Sequence, residues 1–178
     1  KIPGMFYMIF SFAPWIVYWV LCGMGNATGI VIALVIASLL QYPNPQDGLQ
    51  LDGFNIPSLF GTATISTFIF NLNVFVERSG FLGYFALFLM ALLSMVIKRP
   101  FTFQASKRDY PEIYWKIPWF LKINSLITAI WALIFLINAI TYLFIPNVAK
   151  IFTNALIGFG IVFSIVFPVK APAYLATK

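Results

Sequence analysis

The feature that most limits what this chain can fold into is a series of apolar runs almost free of charge. Phe81 to Ile97 contains no Asp, Glu, Lys or Arg, Phe120 to Ile145 contains only Lys122, and Val148 to Phe167 contains only Lys150. About 20 apolar residues, rising 1.5 Å each as a helix, cross the roughly 30 Å of bilayer hydrocarbon. Composition agrees, with 61% hydrophobic and 9% charged residues, where a soluble domain averages about 25% charged. Eleven Lys/Arg and five Asp/Glu side chains cannot solvate the outside of a globule this size. An ordinary soluble enzyme is excluded, and the expected fold class is an all-α integral membrane protein.

Six transmembrane helices are predicted, at 5–22, 28–40, 58–76, 81–97, 120–145 and 148–167, forming one domain over residues 1–178. Pro14 should kink the first span or mark a break in it. Gly23, Gly25, Asn26 and Gly29 make a tight turn to the second. The polar stretch from Gln41 to Asn55 carries Pro43, Pro45, Gly48 and Gly53, which break any helix. Glu77-Arg78-Ser79-Gly80 turns the third span into the fourth, and Pro146-Asn147 turns the fifth into the sixth, which should stop at Pro168. Three helical hairpins result. The second span rises only about 20 Å, so five spans are the alternative.

Counting basic residues gives the orientation. With six spans, Lys1, Lys98, Arg99, Lys107, Arg108, Lys116, Lys122, Lys170 and Lys178 share one side, and Arg78 and Lys150 the other. The basic side faces the cytoplasm. The expected location is therefore a cytoplasmic (inner) membrane with both termini inside. The chain opens on Lys1, and its first span reads as a retained signal-anchor in preference to a cleaved peptide.

Polar residues within spans mark faces that meet protein or water, because lipid cannot satisfy them. On the fifth span Asn124, Thr128, Trp131, Phe135, Asn138 and Tyr142 fall on one stripe. The third span carries Thr64, Thr67 and Asn71 on one face, and Thr62, Ser66, Asn73 and Glu77 on the other. Thr64, Thr67, Asn71, Asn73, Asn124, Thr128 and Asn138 are thus candidates for lining a pathway or for bonding helix to helix, the latter at about 0.5–1.5 kcal/mol each. Small residues at spacing four, Gly29, Ala33 and Ala37 on the second span and Asn154 with Gly158 on the sixth, favour close packing.

The segment 98–118 is basic and aromatic. Tyr110, Tyr114, Trp115 and Trp119 suit the headgroup layer. Lys98, Arg99, Lys107, Arg108 and Lys116 would attract anionic lipid, at roughly 1 kcal/mol each, or contact a partner. This cytoplasmic loop should lie along the membrane surface. Nucleic acid is not an expected partner, since the positive charge is taken up by sidedness.

No catalytic residue is identified. Histidine is absent, so the commonest general base and metal ligand are missing. Cys22, the single cysteine, can form neither an internal disulfide nor a thiolate cluster. No metal and no cofactor are expected. An intramembrane enzyme would have to rely on Glu77, Asp109 and Glu112, which the six-span topology puts on opposite sides.

From the fourth span onward the pattern resembles the bacterial inner-membrane septation protein A (intracellular septation protein) family. The residues that carry the likeness are Lys98-Arg99-Pro100 closing a span, the basic loop after it, Asn124, Asn138, Pro146, and Phe152 with Gly158 in the last span. It covers the second half of the chain, and before Tyr84 only hydropathy is shared. The family's aromatic residue one turn after the first Asn is Ile127 here, with Trp131 on the next turn. The resemblance implies a small multi-pass protein linked to envelope maintenance, division and peptidoglycan-synthesis complexes, with no established reaction. It makes Lys98, Arg99, Asn124 and Asn138 the residues to test.

The expected function is therefore a non-enzymatic, septation-type scaffold acting through helix packing with membrane partners, lipid or further copies of itself. The alternative is a passive channel or small-solute transporter with an Asn/Thr-lined pathway between the third and fifth spans.

Overall fold

The computed structural model describes residues 12–41, 56–107 and 109–175. Among them every regular element is helical: α1 Ala13–Gly23, α2 Thr28–Gln41, α3 Ile56–Phe68, α4 Val74–Glu77, α5 Ser79–Val96, α6 Phe101–Ser106, α7 Glu112–Trp115, α8 Pro118–Phe144 and α9 Pro146–Leu175. The chain divides into two compact units, residues 1–83 and 84–178. The division falls within α5, whose first turn belongs to the first unit.

In the first unit α1 packs on α2 and α4, and α2 packs on α3. Pro14 does not kink a longer described helix. It lies in the opening turn of α1, where its missing N–H has no intrahelical acceptor to lose. The predicted residues before Phe12 lie outside the described residues, as does most of the polar stretch 41–55. At the other end of α1, Gly25 adopts φ +79°. Its N–H reaches the Cys22 carbonyl at 2.9 Å, and the Asn26 N–H reaches that of Leu21 at 3.0 Å. This is a Schellman stop, with glycine where a side chain would be strained. Asn26 then starts α2, its Oδ1 accepting from the Thr28 N–H at 3.0 Å and from the Thr28 hydroxyl at 2.7 Å.

The two helices touch closely at Gly29, where an added Cβ would come within 2.6 Å of the Leu21 Cβ. Ala33 and Ala37 continue the same buried stripe. Trp15 and Tyr18 meet the Phe60 ring of α3 at 5.1 and 5.6 Å, and the Tyr18 hydroxyl donates to the Phe75 carbonyl at 2.6 Å.

The predicted span 58–76 is not one helix. α3 ends at Phe68, and α4 is a separate single turn. Between them Asn71 takes the left-handed backbone, φ +53°, which asparagine tolerates better than most residues. The Leu72 N–H returns to the Ser66 carbonyl at 3.0 Å. Hydropathy does not register the break because Ile69, Phe70, Leu72 and Val74 carry the apolar run through it; all four are exposed.

In the second unit α8 is the central helix, packed against α6, α7 and α9. α5 contributes the Tyr84 ring, which lies 6.5 Å from Phe135 and 5.7 Å from Tyr142 of α8. α5 ends in a second Schellman stop: Lys98 N–H to Met95 O at 3.0 Å, Arg99 N–H to Ser94 O at 2.9 Å, and Lys98 itself at φ +58°. α8 begins at Pro118 and α9 at Pro146, positions that need no N–H. α9 does not stop at Pro168 but continues to Leu175. A proline within a spanning helix removes one hydrogen bond without ending it.

Three helices among the described residues are long and apolar enough to cross a membrane: α5 (18 residues), α8 (27 residues) and the Pro146–Pro168 part of α9 (23 residues). α1 and α2 are apolar but shorter, and α3 has 13 residues. The six predicted spans are thus reduced to three helices of full length. The segment 98–118 is likewise more ordered than a surface loop, since it contains α6 and α7 and buries Pro100, Phe101 and Thr102.

Candidate functional site

The densest polar contacts of the second unit join α6 to the start of α8. Asn124 and Thr128 stand one turn apart on α8, and Thr102 and Ser106 stand one turn apart on α6, so the two pairs interlock. The Thr102 hydroxyl donates to the Asn124 carbonyl at 2.8 Å and lies 2.9 Å from the Thr128 hydroxyl. With its own proton so used, Thr102 accepts from Thr128. Ser106 donates to Asn124 Oδ1 at 2.8 Å, while Asn124 Nδ2 donates to the Phe120 carbonyl at 2.8 Å. In the last turn of α5, Ser94 accepts from the Phe101 N–H at 3.3 Å and donates to the Ala91 carbonyl at 2.7 Å. Thr102 and Ser106 were not singled out in the sequence. Their spacing of four, matching that of Asn124 and Thr128, was the available signal.

Beyond α6 the basic residues sit among aromatic rings. Lys107 Nζ lies 4.8 Å from the Phe103 ring centre and 5.0 Å from that of Trp115. Lys122 Nζ lies 5.0 Å from Trp119. Such contacts contribute about 0.5–1 kcal/mol at exposed sites. Phe120 anchors the cluster at 5.5 Å from Phe103 and 5.4 Å from Tyr110, and the Trp115 indole N–H donates to the Tyr110 carbonyl at 2.9 Å. Lys98, Arg99 and Lys116 are exposed, and Arg108 lies outside the described residues.

The α8–α9 hairpin carries a third polar contact. The Trp131 indole N–H donates to the Ser164 hydroxyl at 2.9 Å, and Ser164 donates to the Gly160 carbonyl at 2.8 Å. Gly160 is the packing glycine of α9, since a Cβ there would meet Ile134 at 2.8 Å and Trp131 at 3.1 Å. The pair expected to pack, Asn154 and Gly158, is exposed instead, and a Cβ at Gly158 would meet nothing. Asn138 of α8 is fully buried, and neither its Nδ2 nor its Oδ1 has a hydrogen-bond partner. The buried Thr153 hydroxyl of α9 also lacks one.

The remaining candidates belong to the first unit. Thr64 donates back to the Phe60 carbonyl at 2.8 Å, the usual way a hydroxyl satisfies itself within a helix. Thr67 is buried, with Leu72 O at 3.4 Å. Asn71 and Asn73 are exposed in the break between α3 and α4, not inside a span. Thr64, Thr67, Asn71 and Asn73 therefore fall in one unit, and Asn124, Thr128 and Asn138 in the other.

Cys22 is buried as a free thiol. Among the described residues no group of three His, Cys, Asp or Glu side chains gathers to hold a metal ion. No known protein family, curated protein or solved structure matches this chain.

Proposed function

We propose that this chain is a non-catalytic multi-pass protein of the bacterial cytoplasmic membrane that acts as a septation-type scaffold, binding other membrane proteins or lipid along its helices. The observation that carries this reading is α9. It has a span-length apolar stretch with a mean hydropathy of 2.0, yet only 11% of that stretch is buried within the chain, against 50% for α8. Ile151, Phe159, Val162 and Val166 are among the side chains it leaves exposed. In a bilayer such a face rests against acyl chains or another helix, and close van der Waals packing favours the helix. The likeness of the second half to the septation proteins, in Lys98-Arg99-Pro100, Asn124, Asn138 and Pro146, supports an envelope role. Asn124 Oδ1 and the Thr128 hydroxyl are engaged by α6, and Asn124 Nδ2 by the Phe120 carbonyl of α8 itself, which favours packing over a pathway for these two residues.

Photo-crosslinking residues placed singly at Ile151, Phe159 and Val162 in bacterial cells test the proposal. Defined protein adducts are expected at one or more positions, and Phe159→Arg should remove them while the chain still inserts. Adducts with lipid alone at all three sites would leave the scaffold without a protein partner and reject that role.

A further inference from the structure

Asn154 and Gly158 of α9, exposed in this chain, carry an inference that deepens the scaffold reading and rests on it, by naming one partner. The face they lie on is continuous. Asn147, Ile151, Asn154, Gly158, Ile161 and Ile165 follow one another at spacings of 4, 3, 4, 3 and 4, and all six are exposed. At about 100° per residue they form one stripe, turned roughly 130° from the buried side that holds Thr153 and Gly160. Alternating steps of three and four make the seam along which two helices pack at a shallow left-handed angle.

Within that seam Asn154 is the residue that lipid cannot accommodate. It stands eight residues past Pro146, so at 1.5 Å per residue it lies about 12 Å into a span about 34 Å long. Acyl chains at that depth neither donate nor accept a hydrogen bond, so an exposed carboxamide there is costly. Among the described residues its side chain has no hydrogen-bond partner. A hydroxyl in the same place would bond back to its own helix, as Ser164 does to Gly160. The carboxamide of Asn154 instead points to a partner outside the chain.

A second copy of this chain supplies that partner by symmetry. Copies that insert by the same charge rule share one orientation, so a twofold axis along the membrane normal sets the two Asn154 residues against each other at one depth. A carboxamide is self-complementary, having an NH2 donor and a carbonyl acceptor, so each can donate to the other. Gly158, one turn on, has no side chain, and a Cβ there would meet nothing of its own chain, which lets a second backbone come close. The seam holds no charge, since α9 has no Asp, Glu, Lys or Arg between Lys150 and Lys170, so two identical faces do not repel. We propose that α9 is a self-association helix: two copies pack in parallel along the Asn147–Ile165 seam, with their Asn154 carboxamides bonded to each other. A lone polar residue in such a seam also fixes its register. The Phe159 and Val166 side of α9 stays open to other partners or lipid.

The experiment uses the full Cys22→Ser chain in bacterial membranes, with single cysteines along α9 oxidised by a copper catalyst. Disulfide-linked dimers are expected from Ile151→Cys, Ile161→Cys and Ile165→Cys. Several-fold fewer should form from Phe159→Cys and Val166→Cys, which are exposed but lie about 100° or more from the centre of the seam. Equal yields on both sides would mean chance collision and overturn the seam. In the Ile161→Cys chain, Asn154→Leu should lower the dimer yield roughly three- to tenfold, while Asn154→Gln, which keeps the carboxamide, should retain most of it. An unchanged yield with Asn154→Leu overturns the paired carboxamides. Gly158→Leu separates association from folding: it should lose the dimer, yet keep its unfolding midpoint in dilute micelles, where copies are apart. Photo-adducts to a different protein without self-dimers overturn the second copy and leave the scaffold reading standing. Adducts with lipid alone and no self-dimers reject both.

Discussion

The contact of α6 with α8 rests on four hydroxyl and amide side chains, and they work as a unit. Thr102→Val removes the donor to the Asn124 carbonyl and also the acceptor of the Thr128 hydroxyl. A single hydrogen bond contributes about 1 kcal/mol net, and an orphaned buried group costs about 1–3 kcal/mol. Thr102→Val is therefore expected to destabilise the protein by about 1–3 kcal/mol, read as a lowered unfolding midpoint in mixed micelles. Thr128→Val in the same background should add much less than it costs alone, because its partner is already gone. Strict additivity of the two changes would show that the hydroxyls do not interact. Lys98 offers the opposite sign. Its left-handed backbone is a position that glycine occupies without penalty, whereas another L-residue pays about 1–2 kcal/mol. Lys98→Gly should therefore unfold at an equal or higher midpoint; a marked loss would mean that the ammonium makes a contact worth more than the strain.

At the level of elements, hydropathy located α5, α8 and the start of α9 to within two residues, though not the end of α9 beyond Pro168, because long runs without charge have one stable solution in lipid. Glycine and asparagine chemistry located the α1–α2 turn for a similarly local reason. What the pattern could not show was the end of α3. The helix is broken and Asn71 turns left-handed while Ile69, Phe70, Leu72 and Val74 keep the hydropathy high, so polarity does not change where geometry does. Nor could it choose between Gly158 and Gly160 as the packing glycine. The two lie on different faces, and only contact with Trp131 and Ile134 distinguishes them. Leucine substitutions separate them in the protein. Gly160→Leu must displace the Trp131 and Ile134 side chains and should weaken the hairpin by about 1–3 kcal/mol, the usual cost of overpacking. Gly158→Leu projects into open space, and its helix propensity is better by roughly 1 kcal/mol. The expected order of unfolding midpoints is Gly158→Leu at or above wild type, and Gly160→Leu well below it.

For the whole molecule, sidedness does not depend on how the shorter helices are counted. If α5, α8 and α9 each cross once, the segment between α5 and α8, which holds Lys98, Arg99, Lys107, Arg108 and Lys116, faces the same side as the chain beyond Pro168 with Lys170 and Lys178. The Phe144–Pro146 connection then faces the other side, with Lys150 nearest to it. The basic excess is on one side whether the chain before Ser79 crosses twice, three times or four, and in the proposed topology that side is the cytoplasm. Only the position of the N-terminus changes with the count. In that topology the aromatic cluster around Lys107 lies at the cytoplasmic interface, where rings and ammonium groups both find suitable neighbours. A Cys22→Ser chain with single cysteines at 107, 116 or 147 makes the arrangement measurable in intact cells. Positions 107 and 116 should resist a membrane-impermeant maleimide until the cells are opened, and position 147 should react from outside. Labelling of 107 and 147 from the same side would mean that α8 does not span, and the membrane topology argued from these helices would fail with it.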